Sequence, residues 1–197
     1  MSEKFSKLND DQRGKLTQFL DVREESGRTA LFLAAEANRV KCADVLLRYK
    51  ASTEVTNHKN ITPLGVACDQ GHTSMILLLI ENHARCDVTV GEKKLLDCIS
   101  TSIKDPKEKC EVAKALLANG AQASEEELNK IRDTLGAENH TMWNKAVTDA
   151  REARAKNFTK AIGGDAPVPT NDMQDAPMDE ISKFLGFDQP LLKEWAH

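Results

Sequence analysis

The chain repeats a short pattern at a fixed interval, and this repetition limits the folds that it can adopt. Residues 27–35 read GRTALFLAA, and residues 60–68, which lie 33 positions later, read NITPLGVAC. The second half of each unit also agrees, since residues 45–47 read VLL and residues 78–80 read LLI. A repeat of this length predicts an array of stacked units rather than a single globular core.

Each unit has the pattern of two short helices. Thr29 and Thr62 are each placed to cap the N-terminus of a first helix, and Pro63 suits the first helical turn because that turn needs no backbone N–H. Apolar residues follow at helical spacing, and a second apolar helix completes each unit. One such helix pair cannot bury its apolar side by itself, so neighbouring pairs must stack to form the core.

These residues resemble the ankyrin repeat family, with Thr-Pro-Leu at residues 62–64 as the clearest match. The resemblance implies an all-α helical repeat solenoid with two clear repeats and a third, degenerate one. The third unit starts at residues 94–96 and ends at residues 112–121, with an insertion of about five residues between its helices. Lys50 and His83 depart from the family, which usually has a glycine there to end the second helix in a left-handed conformation.

The flanking segments are predicted to cover the ends of the repeats. We expect an N-terminal capping helix in residues 1–25, the ankyrin repeats in residues 26–123, and C-terminal capping helices in residues 124–162. Ser124 and Glu127 have the spacing of a capping box. Two alternatives stay open. The basic end of the last helix could bind a membrane surface or calmodulin instead of only capping the array. The insertion in the third unit could be a binding edge instead of a plain surface loop.

The last part of the chain changes in composition. Residues 163–178 contain Gly, Pro and Asp with almost nothing apolar, which predicts a flexible, disordered acidic linker. Residues 179–197, the docking tail, then concentrate apolar side chains that are too few to fold by themselves. We expect the tail to dock either on its own array or on a partner, through Ile181, Phe184, Leu185, Leu191, Leu192 and Trp195.

Composition and charge restrict the class of protein. The formal net charge of −4 is too small to indicate a nucleic-acid or membrane partner. The five cysteines include no C-x-x-C pair, and the N-terminus has no apolar run, so the sequence predicts reduced thiols in a cytoplasmic protein, with the nucleus also possible. We expect a monomer, with Cys42 and Cys68 buried at small apolar positions of the repeat.

Motifs of catalysis and cofactor binding do not occur in the sequence. There is no phosphate-binding loop, nucleophile elbow or H-E-x-x-H motif. Cys68 and His72 stand four residues apart, so on a helix they could face each other as the thiolate pair of a thiol enzyme. However, His72 follows Gly71 at the turn between helices, where the resemblance implies a structural role, and Cys68 is at a core position. His83 and Cys86 lack two further ligands for a zinc site. We therefore expect no enzyme, no cofactor and no metal.

The resemblance instead implies that another protein binds on a concave face, which the first helices and the hairpin loops form. Charges of both signs at the implied positions suit a protein better than a nucleic-acid backbone. The predicted function is an adaptor or regulatory subunit, and the alternative is a binder gated by the docking tail. The predicted partner-binding residues are Arg28, Glu36, Tyr49, His58, Lys59, Ile61, Asp69 and Gln70.

Overall fold

The computed structural model describes residues 9–161, which form a row of helix pairs. The linker and the docking tail lie outside the described residues. Within this range, helix α1 precedes the repeats, and a short antiparallel hairpin of β1 (Thr89–Val90) and β2 (Lys93–Lys94) leads into the third pair. The helices are α1 Asp10–Leu20, α2 Ala30–Glu36, α3 Val40–Arg48, α4 Pro63–Gln70, α5 Thr73–Glu81, α6 Leu95–Ser102, α7 Pro106–Ala118, α8 Glu125–Asp133, a 3-10 turn Ala137–Asn139 and α9 His140–Ala161.

Buried threonines begin the first helices of the two clear repeats. The Thr29 hydroxyl accepts a hydrogen bond from the Phe32 N–H at 3.2 Å, and the Thr62 hydroxyl accepts one from the Gly65 N–H at 3.0 Å. Each bond satisfies an amide that the helix itself leaves without a partner. Lys94 stands at this position in the third unit and has no acceptor in its side chain.

The second helices end in a left-handed residue, as the repeat pattern requires. Lys50 has φ 67° and His83 has φ 64°, and both therefore adopt the conformation that favours glycine. The N–H of the residue that follows each of them bonds back to a carbonyl five positions earlier, for example from Ala51 to Leu46 at 3.0 Å. The third repeat has Gly120 at the same place, with φ 102°.

Replacing Lys50 or His83 by glycine is expected to stabilise the protein. The left-handed conformation costs a residue with a Cβ about 1–2 kcal/mol, and a glycine avoids this cost. Glycine also has more freedom in the unfolded chain, which opposes folding by about 0.5–1 kcal/mol. Each variant should raise the free energy of unfolding in urea by about 0.5–1 kcal/mol. The control is Glu111→Gly, at an exposed position inside α7, which should lower it by about 1 kcal/mol. A loss in the Lys50 and His83 variants would contradict the prediction.

Helices of the same kind stack along the row. The first helices α2, α4 and α6 pack in sequence against one another, and the second helices α3, α5 and α7 do the same, with α9 packed along α7. Their apolar side chains form one continuous core, which contains Leu31, Leu64, Leu79, Ile99 and Trp143. The predicted all-α repeat solenoid is confirmed in the described part of the chain.

The third unit takes up its extra residues differently from the prediction. Only residues 103–105 link α6 to α7, and α7 has 13 residues whereas α5 has 9. The Asp105 carboxylate caps α7 by accepting the N–H groups of Lys107 and Glu108 at 2.8 and 3.1 Å. The insertion therefore lengthens a helix, and the prediction that the extra residues lie in a loop between the two helices is wrong.

Candidate functional site

The loop between the first two repeats has a rigid tip. The Asn57 side-chain oxygen accepts the N–H groups of Lys59 at 2.9 Å and Ile61 at 3.0 Å, and the Asn57 carbonyl accepts the N–H of Asn60. This arrangement, an asparagine that bonds to the backbone after it, holds a turn closed. His58 and Lys59 are consequently exposed at a fixed place. Sequence reasoning missed Asn57, although its position before an exposed turn was the available signal.

His58 also contacts the segment before the first repeat. Its N–H donates to the Ser26 carbonyl at 3.1 Å, and its ring lies over Gly27, where an added Cβ would come within 2.5 Å of the ring. Gly27 has φ 80°, so this position requires both a left-handed backbone and the absence of a Cβ, and only glycine fits both requirements. The loop tip and the turn before α2 therefore form one continuous surface.

Arg28 and Glu36, two of the predicted partner-binding residues, bind each other along the exposed side of α2. The Arg28 guanidinium bonds to the Glu36 carboxylate at 2.9 Å and to the Glu24 carboxylate at 2.7 Å. The hydrogen bond from Arg28, together with one from the Ser26 hydroxyl, lowers the pKa of Glu24 to about 2. Two carboxylates thus share one guanidinium, and this corner carries a net negative charge.

The same exposed positions recur in each repeat, because α2, α4 and α6 pack side by side. Glu36 near the end of α2 corresponds to Asp69 in α4 and Thr101 in α6, and all three are exposed. Gln70 lies beside Asp69 and is also exposed. The first-helix face, as we call it, is the set Arg28, Glu36, His58, Lys59, Ile61, Asp69, Gln70 and Thr101.

Tyr49 and Ile61 differ from the other predicted residues. Tyr49 ends α3, a second helix, and is half-buried, so the structure places it apart from the first-helix face. Ile61 corresponds to Arg28 by its place in the repeat, but its side chain is half-buried and packs against the core. Ile61 therefore offers the first-helix face a partly exposed apolar side chain.

Cys68 and His72 do not form a reactive pair. Burial raises the pKa of the Cys68 thiol well above its usual value, and the nearby thiols Cys98 and Cys86 add to this effect. A thiol with a raised pKa is a poor nucleophile. The His72 Nδ1 atom lies 3.1 Å from the Ala35 carbonyl of the preceding repeat, so His72 joins two repeats.

Other ionisable groups also have structural surroundings. The buried Lys109 donates to the Ser100 carbonyl at 2.9 Å, and burial lowers its pKa. Lys94 forms an ion pair with Glu127 at 2.8 Å, which joins the third unit to α8 and lowers the pKa of Glu127. Within residues 9–161, no group of three His, Cys, Asp or Glu side chains is placed to hold a metal ion. The helices in this range are too short or too polar to span a membrane.

Comparison with known proteins identifies the repeats. Residues 9–92 match the family model described as ankyrin repeats (3 copies). The match begins just before α1 and ends in the β1–β2 hairpin, so it does not include α6 to α9.

Three curated proteins are similar to about a third of the chain. Inversin of Danio rerio is 36% identical over 64 residues, which are 32% of this chain and 6% of that protein. I-Kappa-B like protein C2 of Microplitis demolitor bracovirus (isolate Webb) is 36% identical over 66 residues, 33% of this chain and 36% of the viral protein. E3 ubiquitin-protein ligase KEG of Arabidopsis thaliana is 36% identical over 68 residues, 34% of this chain and 4% of that protein. The chain therefore matches only a minor part of each relative.

Proposed function

Residues 9–92 of this chain are ankyrin repeats, a module for binding other proteins, and from this premise we propose a non-enzymatic adaptor or regulatory subunit that binds a partner protein on the first-helix face. The proposal includes a monomeric chain in the cytoplasm or nucleus, without a cofactor and without a nucleic-acid or membrane partner. Its regulatory part draws on the similarity to the viral I-Kappa-B like protein.

The observation that carries the proposal is the recurrence of exposed side chains at one position of successive packed helices. Glu36, Asp69 and Thr101 are exposed, whereas the residues just before them in the same helices lie in the core, as Ala35 and Cys68 show. The rigid, packed helices fix the shape of this surface, while the exposed side chains differ from one repeat to the next. Such a surface suits recognition of a folded or extended protein segment.

The chemistry of the first-helix face favours a partner with mixed character. Lys59 and His58 lie at the loop tip, Asp69 and Gln70 lie at the helix end, and Ile61 adds a partly exposed apolar side chain to the same face. Interfaces between proteins combine an apolar centre with a polar rim in this way. A partner that complements this face needs an acidic or polar group at the tip, an apolar side chain near Ile61 and a basic group near Asp69.

The test is a charge reversal that leaves the ion pairs of the fold intact. We choose Lys59→Glu with Asp69→Lys and leave Arg28 unchanged, because Arg28 is bonded to Glu24 and Glu36. The control exchanges the same charges on second helices, at the exposed Lys107 and Glu81. Partners are captured from lysate with the tagged full chain and quantified by mass spectrometry.

The amount of partner captured by the face variant should be lower by about tenfold, which corresponds to about 1.4 kcal/mol of binding free energy. The control should capture as much partner as the parent chain. Circular dichroism melts of both variants should match the parent chain. Equal capture by the face variant and the control would contradict the proposed face. Capture of nothing by the parent chain would contradict the adaptor function itself.

A further inference from the structure

The first repeat exposes apolar side chains where the second repeat buries them. Leu33 is 39% exposed, whereas Val66, at the same position of the next repeat, is 8% exposed. Cys42 is exposed, whereas its equivalent Met75 is 0% exposed. Val45, one helical turn after Cys42 on the same side of α3, is 49% exposed. The burial predicted for Cys42 is therefore wrong.

The difference arises because, within residues 9–161, α2 and α3 are preceded by α1 alone, whereas the second repeat is preceded by a complete helix pair. Helix α1 lies at this end, but among its side chains that the structure describes, residues 14–20, only Leu20 packs against the core. Phe19 in α1 is 76% exposed and Val22, just after α1, is 61% exposed, so this segment adds apolar surface instead of covering it. Asp21 accepts the Ser52 N–H at 2.9 Å and so ties this segment to the end of α3. We call this surface the N-terminal face, consisting of Phe19, Val22, Leu33, Cys42 and Val45.

A terminal repeat normally needs a polar outer side or a cover, because an exposed apolar patch marks a surface that binds something. We propose that the docking tail of the same chain, residues 179–197, covers the N-terminal face. The inference goes beyond the proposed function, since the N-terminal face is separate from the first-helix face and either can fail without the other.

Charge and apolar content both favour this occupant. The docking tail carries four acidic side chains and two lysines, a net charge of −2, and the linker before it adds three acidic side chains. The N-terminal face has exposed basic side chains next to it, namely Arg23, Arg39 and Lys41. The tail offers seven large apolar side chains within 15 residues, which matches the apolar surface of the N-terminal face.

The chain is long enough to reach this end. Helix α9 packs on α7, α7 on α5 and α5 on α3, so three spacings of about 8–10 Å, or roughly 24–30 Å, separate α9 from α3. The 17 residues between Ala161 and the tail span up to about 56–61 Å when extended. Their average span as a flexible coil is about 21–25 Å. Binding within one chain then benefits from an effective concentration near the millimolar range.

Cys42 provides a reporter inside the N-terminal face, because the other four cysteines are buried. The experiment labels the full chain with iodoacetamide under native conditions and follows each cysteine by peptide mass spectrometry. The test variant, Phe184→Ser with Leu185→Ser and Trp195→Ser, weakens the tail. The control variant, Val168→Ser with Met173→Ser, changes apolar residues of the linker. Cys68 should stay unlabelled in all chains and thereby reports an intact fold.

If the tail covers the face, Cys42 should be labelled about tenfold faster or more in the tail variant than in the parent chain, and at the parent rate in the linker control. Val45→Glu on the face should raise the labelling rate of Cys42 in the same way. It should also move the tryptophan emission of the chain to longer wavelength, because Trp195 becomes exposed while Trp143 stays buried. Capture of a partner on the first-helix face should not change in the tail variant, which distinguishes this arrangement from a tail that gates binding.

Equal labelling of Cys42 in the parent chain and the tail variant would overturn the proposal. Protection of Cys42 that persists in the tail variant but disappears on serial dilution would also overturn it, because a second copy of the chain would then be the cover. Tail-dependent protection that is unaffected by dilution supports the proposal.

Discussion

Replacing Trp143 by alanine is expected to lower the free energy of unfolding by about 3–5 kcal/mol, the largest effect of any single change considered for this protein. Trp143 is only 2% exposed and belongs to α9, which packs along α7. Removing a buried indole loses its transfer free energy and leaves a cavity that close-packed helices fill incompletely. Ala146 and Ala150 are buried on the same helix, and side chains this small cannot fill the space.

Urea unfolding followed by far-UV circular dichroism measures this change without relying on tryptophan fluorescence. Lys145→Ala is the matched control, because Lys145 is exposed on the same helix and should change the stability by less than about 0.5 kcal/mol. A loss below about 1 kcal/mol for Trp143→Ala would mean that α9 contributes little to the cooperative unit. The large loss instead supports residues 124–162 as a functional cap of the array, which we propose.

Replacing Gly71 by alanine is expected to lower the free energy of unfolding by about 2–4 kcal/mol. Gly71 ends α4 with φ 70°, a conformation that is strained for any residue with a Cβ. A Cβ at this position would also lie 2.8 Å from the carbonyl oxygen of Ser102, at the end of α6. The Ser102 hydroxyl bonds to the Cys68 carbonyl at 2.7 Å, so the two helix ends are already in close contact and cannot separate cheaply.

Gly91→Ala separates the two causes. Gly91 has φ 64°, and no heavy atom lies within 4 Å of the position of its added Cβ. The control should therefore show only the cost of the left-handed backbone, about 1–2 kcal/mol. Equal losses in the two variants, measured by urea unfolding, would show that the contact between α4 and α6 is looser than the structure indicates.

Local patterns account for most of what could be predicted from the sequence. A cap such as Ser124 needs only the residues that follow it, and the structure shows its hydroxyl accepting the Glu127 N–H at 3.2 Å while the Glu127 carboxylate accepts the Ser124 N–H at 2.7 Å. The left-handed ends at Lys50 and His83 likewise follow from their place in the repeat. These features depend on neighbours within a few residues, and sequence patterns report such neighbours directly.

The candidate site was only partly predictable, because exposure and pairing depend on residues that are distant in the sequence. His58 and Asp69 are exposed as the repeat pattern suggests, but the pairing of Arg28 with Glu24 and Glu36 needed coordinates. Tyr49 fits the pattern of exposed positions and yet lies at the end of a second helix, apart from the first-helix face. A repeat pattern gives the place of a side chain within its unit and does not give the atoms that it meets.

By itself, the sequence determined the period of 33 residues, the helix pairs with their caps, and hence a stacked all-α array, because each of these follows from local spacing of apolar and capping residues. Only the tertiary structure decided that Cys42 is exposed while Cys68 is buried, although both stand at apolar positions of the repeat pattern. The physical reason is that each repeat of an array is buried by its neighbours. The first repeat covers the apolar side chains of the second, whereas α1 leaves those of the first repeat exposed.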